Sequence, residues 1–317
     1  MKSFLAAALL CLVTAVASAQ QYPNKPIRLI VPFPPGGAAE LGARIFAQPL
    51  GQALGQPVII ETKPGADGAI AADATMKAPP DGYTLFYATN TAFSWVPAVR
   101  KNPPYDPVND FTPVSMVGIF GFFVFSHPSV PANTMAELLA HIRANPGKLN
   151  YASGNSTAML STAQLVQREK LDVVHIPYKG DGPLSIDLLG GRVQFAIATP
   201  GAAAPQVKEG KLRVLATLLP SRSALLPQAP TMAESGLAGL SITPWGGVFG
   251  PKGMPRDITD RLSRELIALL KRPEVREAFG LLAFEPRGST PEELAAFTKE
   301  QLEVWRRVVG EVGIKPE

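Results

Sequence analysis

The sequence predicts an α/β protein of two lobes with largely parallel sheets, on three observations. Short apolar, β-branched runs alternate with helical patterns through most of the 317 residues. A chain of this length has residues enough for more than one core. Its C-terminal stretch reads as a run of helices with no core of its own, which must pack on a sheet built by earlier residues. The simplest arrangement returns that tail to the first lobe, so the chain crosses between lobes twice, near Gly118–Phe123 and near Ser241–Trp245. The boundaries that follow are a leader at 1–19, lobe 1 at 20–121 and 244–317, and lobe 2 at 122–243.

The elements follow in order. The run 27–32 is an apolar, β-branched strand, and 38–54 carries Leu41, Ile45, Leu50 and Leu54 at helical spacing, with Pro49 expected to kink the helix by removing a backbone donor. Strands are predicted at 57–62, 84–89, 114–125, 149–153, 173–178, 193–198, 212–218 and 245–249. Between them, 135–144, 157–169, 183–190 and 201–209 read as helices. The tail supplies helices at 256–271, 273–283 and 291–309, the last opened by Thr290-Pro291-Glu292-Glu293, a capping box with proline at the first helical position.

Two turns carry the chemistry. In Ile27-Arg-Leu-Ile-Val-Pro-Phe-Pro-Pro-Gly-Gly-Ala-Ala-Glu40 a strand runs into a proline-stiffened glycine turn and then a helix. The prolines leave the loop little freedom, Gly36 and Gly37 let a ligand approach the backbone, and the opening helix offers unpaired N–H groups with a positive dipole end. Leu149-Asn-Tyr-Ala-Ser-Gly-Asn-Ser-Thr157 repeats the plan, with Ser153, Ser156 and Thr157 able to add hydroxyl donors or simply to cap the helix. Facing one another across a cleft, two such anion cradles in different lobes would grip a carboxylate.

Residues 1–19 read as a secretory signal, with Lys2, an apolar run from Phe4 to Val16 and Ala17-Ser18-Ala19 as the cleavage site, so the exported chain begins at Gln20. The only cysteine, Cys11, lies inside that leader, which leaves no disulfides. No later stretch has the roughly 20 apolar residues a membrane span needs, so the protein is not expected to be membrane-embedded. Formal charge is +4, with basic residues scattered rather than clustered, which gives nucleic-acid binding no support.

These motifs, in their order and spacing, closely resemble the Bug-type extracytoplasmic solute receptors, the substrate-binding components of tripartite tricarboxylate transporters. The resemblance runs through Pro26-Ile-Arg-Leu-Ile-Val-Pro-Phe-Pro-Pro-Gly-Gly37, Gln56-Pro-Val-Ile-Ile-Glu61, Lys63-Pro-Gly-Ala66, Ala78-Pro-Pro-Asp-Gly-Tyr-Thr-Leu85, Tyr105-Asp-Pro107 and Pro146-Gly-Lys-Leu-Asn-Tyr-Ala-Ser153. It continues through His175-Ile-Pro-Tyr-Lys-Gly180, Asp187-Leu-Leu-Gly-Gly191, Gly210-Lys-Leu-Arg213 and Pro230-Thr-Met-Ala-Glu-Ser-Gly236. It implies a two-lobed periplasmic binding protein of the type II, Venus-flytrap class, a monomer that closes on a small carboxylate in the periplasm and delivers it to a membrane permease without any cofactor or metal. It further implies that the ligand lies between Phe33, Pro34, Pro35, Gly36, Gly37 and Ala38 on one side and Ser153, Gly154, Asn155, Ser156 and Thr157 on the other. Ala66, Asp67, Gly68, Thr89, Asn90, Thr91 and Thr199 are implied to add further contacts.

The chain departs from the family pattern where it has Glu40 for an aspartate, Phe93 for a polar residue or histidine, Met159 for a histidine, and Ala198 for an aspartate, and its second loop is one residue shorter. Loss of acidic and imidazole groups, with polarizable Phe93 and Met159 added, points to a ligand with one carboxylate and an apolar or aromatic remainder. The alternative, that Phe93 and Met159 pack in the core, stays open.

Two other readings use the same residues. A receptor of this shape could present its closed form to a sensor kinase instead of a permease. A serine hydrolase would need Ser153 or Ser156 with one of His127, His141 and His175, but no G-x-S-x-G elbow is present and each histidine reads as structural. Three scattered histidines give no metal-ligand spacing, and Asp67, Asp181 and Glu40 beside glycine turns read as caps or turn formers.

Overall fold

The computed structural model describes residues 22–240 and 242–316, so the leader and its cleavage site lie outside the described residues. Two sheets organise the chain. The first has β1 (Ile27–Val31), β2 (Val58–Thr62), β3 (Thr84–Thr89), β4 (Phe111–Phe120), β10 (Trp245–Pro251) and β11 (Phe284–Pro286), in the order β11-β4-β10-β3-β1-β2. The second has β5 (Phe123–Ser126), β6 (Asn150–Ser153), β7 (Val174–Pro177), β8 (Phe195–Ala198) and β9 (Arg213–Thr217), in the order β7-β6-β8-β5-β9. β1 pairs in parallel with β2 and β3, and β6 with β7 and β8, whereas β10 and β5 enter their sheets antiparallel.

The sequence explains these strands by burial. Ile27, Leu29, Ile30 and Val31 are all fully buried, as a parallel strand covered by helices on both faces requires. The run predicted as one strand at 114–125 divides into β4 and β5, because the chain leaves the first sheet at Gly121–Phe122 and enters the second. Gly121 is needed there, since a Cβ would stand 2.2 Å from the Ala283 carbonyl oxygen.

Helix α1 (Ala38–Leu54) buries Ala43, Phe46, Ala47, Leu50 and Leu54, and ends at Gly55 in the left-handed region, φ 77°. Leu41, expected on the buried face, is exposed, because the bulkier Phe46 sets the rotation of the helix against Tyr87. The helix continues through Pro49, which leaves the Ile45 carbonyl without its usual partner. Further along come α2 (Ala69–Met76), a wide π-type turn at Thr91–Trp95 leading into α3 (Val96–Val99), α4 (Met135–Ala144), α5 (Ser156–Arg168), α6 (Asp181–Leu189) and α7 (Ala203–Lys208).

The tail forms α8 (Arg256–Leu269), α9 (Pro273–Gly280) and α10 (Pro291–Glu311). These pack on the first sheet: β11 pairs with β4, and Leu262, Leu266 and Phe279 share a core with Phe46 and Tyr87. The capping box at Thr290 forms in both directions, Glu293 N–H donating to Thr290 Oγ1 at 3.2 Å and Thr290 N–H to Glu293 Oε2 at 2.9 Å. A separate apolar cluster of Ala98, Leu160, Ile242, Trp305, Val308 and Val309 joins α3 and α10 to α5 of the second sheet's layer. No helix among the described residues is long and apolar enough to cross a membrane.

Candidate functional site

Both predicted cradles lie at the C-terminal ends of parallel strands, the edge at which open α/β sheets hold ligands. They also occupy matching places: β1, flanked by β2 and β3, leads into α1, and β6, flanked by β7 and β8, leads into α5.

In the first cradle Gly37 is extended, φ −75° and ψ 156°, and no side chain caps α1. Its first-turn N–H groups at Ala38 and Ala39 therefore have no intrahelical acceptor. Pro34, Pro35 and Gly36 are exposed, with Phe33, Gly37 and Ala38 half-buried. Glu40 is buried and turns back on the loop, where its Oε2 accepts the Gly36 N–H at 3.0 Å while Oε1 meets Arg44 Nε at 2.5 Å. A carboxylate of the chain thus already occupies one cradle donor.

The neighbouring loops join this one. Gly68 lies so close to Pro32 and Ala92 that a Cβ would stand 3.1 and 2.9 Å from their Cβ atoms, which holds Ala66–Gly68 against the first cradle. Ala66 and Asp67 are exposed and both left-handed, φ 47° and 56°, a conformation that costs a non-glycine residue about 1–2 kcal/mol. At the end of β3, Thr89, Asn90 and Thr91 are buried, and Thr89 Oγ1 has no hydrogen-bond partner among the described residues.

In the second cradle Asn155 caps α5, its side chain accepting the Ala158 N–H at 2.9 Å. Two bonds reach across to the first cradle's neighbours. Asn90 Nδ2 donates to Thr157 Oγ1 at 2.7 Å, and Ser156 Oγ lies 3.4 Å from Thr91 Oγ1. Asn90 also accepts the Trp245 backbone N–H at 3.2 Å, so one side chain ties β3, the returning strand and α5 together. Gly154 is obligatory, since a Cβ would meet Asp181 Oδ1 at 2.3 Å.

Three contacts were not predicted from the sequence, although it offered Ser153 with His175 as one possible hydrolase pair. Ser153 Oγ is 2.7 Å from His175 Nε2, and that ring stacks on Tyr151 at 4.7 Å. Burial holds the His175 pKa below its ordinary value. Ser153 is itself buried, so the pair packs at the base of the second loop. The third contact is made by Asp181, whose Oδ2 accepts both the N–H and the Oγ1 hydroxyl of Thr199, at 2.9 and 2.6 Å. An acidic group is therefore present beside Ala198, supplied by a residue that the sequence offered only as a turn former.

One site residue is corrected. Phe93 does not line the cleft: it is fully buried among Phe86, Tyr105, Phe111, Trp245 and Phe249, with centroids 4.7 Å from both Phe111 and Phe249. The wide turn at Thr91–Trp95 rotates its side chain into the lobe while Thr91 stays at the interlobe contact. Met159 is half-buried on α5 and alone remains to support an apolar pocket wall. A surface groove of about 740 Å³ between α1 and β2, lined by Arg44, Gln48, Gln52 and Ile60, shares no residue with either cradle.

The chain's relatives identify its family. The profile of the tripartite tricarboxylate transporter family receptor matches residues 42–314. Protein BugT of Bordetella pertussis is 37% identical over 310 residues, spanning 96% of this chain and 94% of that protein. The structure of the periplasmic binding protein BugD superposes with TM-score 0.80 at 31% identity, over 93% of this chain and 100% of that one. R. palustris Rpa4515, solved with adipate, gives TM-score 0.83 at 30% identity, again over 93% and 100%. The chain belongs to the tripartite tricarboxylate transporter receptor family, as a Bug-type solute-binding receptor with the two-lobed periplasmic-binding-protein fold.

Proposed function

We propose that the chain is an exported receptor that captures a small carboxylate between the loops Phe33–Ala38 and Ser153–Thr157 and hands it to a membrane permease. Lobe 1 is then 20–121 with 244–317, lobe 2 is 122–243, and the signal is removed after Ala19. The observation that carries this reading is the pair of helix N-termini, α1 and α5, set at equivalent sheet edges and linked through Asn90 to Thr157 and Thr91 to Ser156. Adipate in Rpa4515 is a ligand of this chemical class.

The mechanism is a shift of an open–closed equilibrium. Each hydrogen bond to a charged acceptor contributes about 1.5–3 kcal/mol. Four to six donors drawn from both lobes exceed the ordering costs and reach roughly micromolar affinity. Only the closed form engages both sets of donors, so the ligand favours closure and the permease reads it.

The test is the thermal stability of refolded, ligand-free mature protein against mono-, di- and tricarboxylates, amino acids and aromatic acids. A ligand at a hundred times its Kd adds about 2.7 kcal/mol, a rise of several degrees. A flat response to every carboxylate would refute the reading.

A further inference from the structure

Asp181 opens α6 at the edge where β6, β7 and β8 end. Its carboxylate stands between two candidate ligand residues: Oδ2 takes both Thr199 donors, and Oδ1 faces Asn155 Nδ2 at 3.4 Å. Asn155 is turned that way because its own Oδ1 is held by the Ala158 N–H. The next residues, Ser156 and Thr157, touch Thr91 and Asn90 of the other lobe, so this carboxylate lies on the side of the second sheet that meets the first.

The first cradle supplies the contrast. Glu40 also turns its carboxylate into its cradle, but Arg44 Nε meets it at 2.5 Å and counters the charge. Asp181 has no cationic partner among the described residues; its donors are a backbone amide, a hydroxyl and a distant carboxamide. Gly154 packs against Oδ1, and among the described residues the one hydrogen bond to that oxygen is long, which leaves it with acceptor capacity to spare. Burial raises the Asp181 pKa, while the Thr199 and Asn155 donors favour the ionised form. A carboxylate held without a counter-ion repels a second carboxylate and favours a cation or a strong donor.

We infer that Asp181 sets the ligand class: the α1 N-terminus receives one carboxylate, and Asp181 receives an ammonium or hydroxyl donor from the ligand's other end. The site then selects amino and hydroxy monocarboxylates over dicarboxylates of equal length. This deepens the receptor reading above and rests on it.

Titration calorimetry on the refolded mature protein tests it with matched acids: glycine and glycolate against malonate, β-alanine against succinate, γ-aminobutyrate and γ-hydroxybutyrate against glutarate. In the matched set that binds, the donor-bearing acid is expected to bind at least about tenfold tighter than the diacid, and Asp181→Asn to remove most of that preference. The wild-type comparison alone decides the matter should the variant fold poorly. A diacid that binds as tightly as its donor-bearing match overturns the inference and leaves the receptor standing. Silence from every carboxylate overturns both.

Discussion

The first cradle can be tested by removing one donor and nothing else. Ala38 is the first residue of α1, and the Gly37 before it has φ −75° and ψ 156°, the backbone that a residue preceding proline prefers. Proline is well tolerated at this helical position because its missing N–H has no intrahelical partner. Ala38→Pro should therefore leave the unliganded fold intact and even stabilise it by up to about 1 kcal/mol, since the unfolded chain loses freedom. A ligand carboxylate, however, loses one charged hydrogen bond of about 1.5–3 kcal/mol. The expected result is a Kd raised roughly 10- to 150-fold for whichever carboxylate gives the strongest thermal shift, measured by titration calorimetry beside an unfolding curve. A Kd within twofold of wild type, in a variant that melts normally, would show that the α1 N-terminus does not hold the ligand.

Three further outcomes follow. Asn90→Ala removes the bond to Thr157 and leaves the buried Trp245 N–H unpaired, a cost of about 2–4 kcal/mol, read as a Tm lowered by roughly 3–7 °C for a chain of this size; a change under about 1 °C would mean the bridge does not hold the lobes. Phe93→Ala should cost about 3–5 kcal/mol, as other large core truncations do, while the rank order of ligands stays as it was; a changed rank order with little loss of stability would return Phe93 to the pocket. His175 titrates below its ordinary 6.5 in the folded state because of burial, so the unfolded chain takes up the proton first. Its contribution is full above about pH 6.5 and is lost as pH falls through the folded value; His175→Gln should flatten unfolding free energy against pH between about 7 and 5, and an unchanged slope would refute this.

How much was legible depends on what each residue had to say locally. β-branched runs such as Ile27–Val31 announce a strand wherever they are placed, and Thr290-Pro291-Glu292-Glu293 carries its own helix start. Ala69–Met76 is half alanine and alternates nothing, and β11 has three residues including Pro286, so neither leaves a periodic signal. The two strand–turn–helix loops were readable because glycine, proline and serine after a strand mark a turn. Partnerships were not, because they depend on strand order: Tyr151 and Ser153 meet His175 only once β6 and β7 are in register, and Asp181 reaches Thr199 only because β7 and β8 both flank β6. Phe93 was ambiguous for another reason, since a pocket wall and an aromatic core call for the same side chain.

The strand order also explains why the two cradles can act together. Each sheet uses one construction, with the first strand to arrive from the other lobe running antiparallel inside it, β5 between β8 and β9, and β10 between β3 and β4. The outgoing strand β4 therefore lies beside the incoming strand β10, and the crossovers are neighbours: Phe120 N–H donates to the Pro244 carbonyl at 2.7 Å, and Leu218 N–H to that of Phe122 at 2.8 Å. Two adjacent extended segments bend about a common line and resist twisting, so the proposed closure would bring the strand C-terminal edges together rather than slide them past one another. The backbone of Ala283 packs directly against Gly121 at the first crossover. On the proposed reading, the donors of α1 and α5 then converge on one small anion only when the hinge shuts. Bonds already made there, from Asn90 to Thr157 above all, lower the free energy the ligand must supply to shut it.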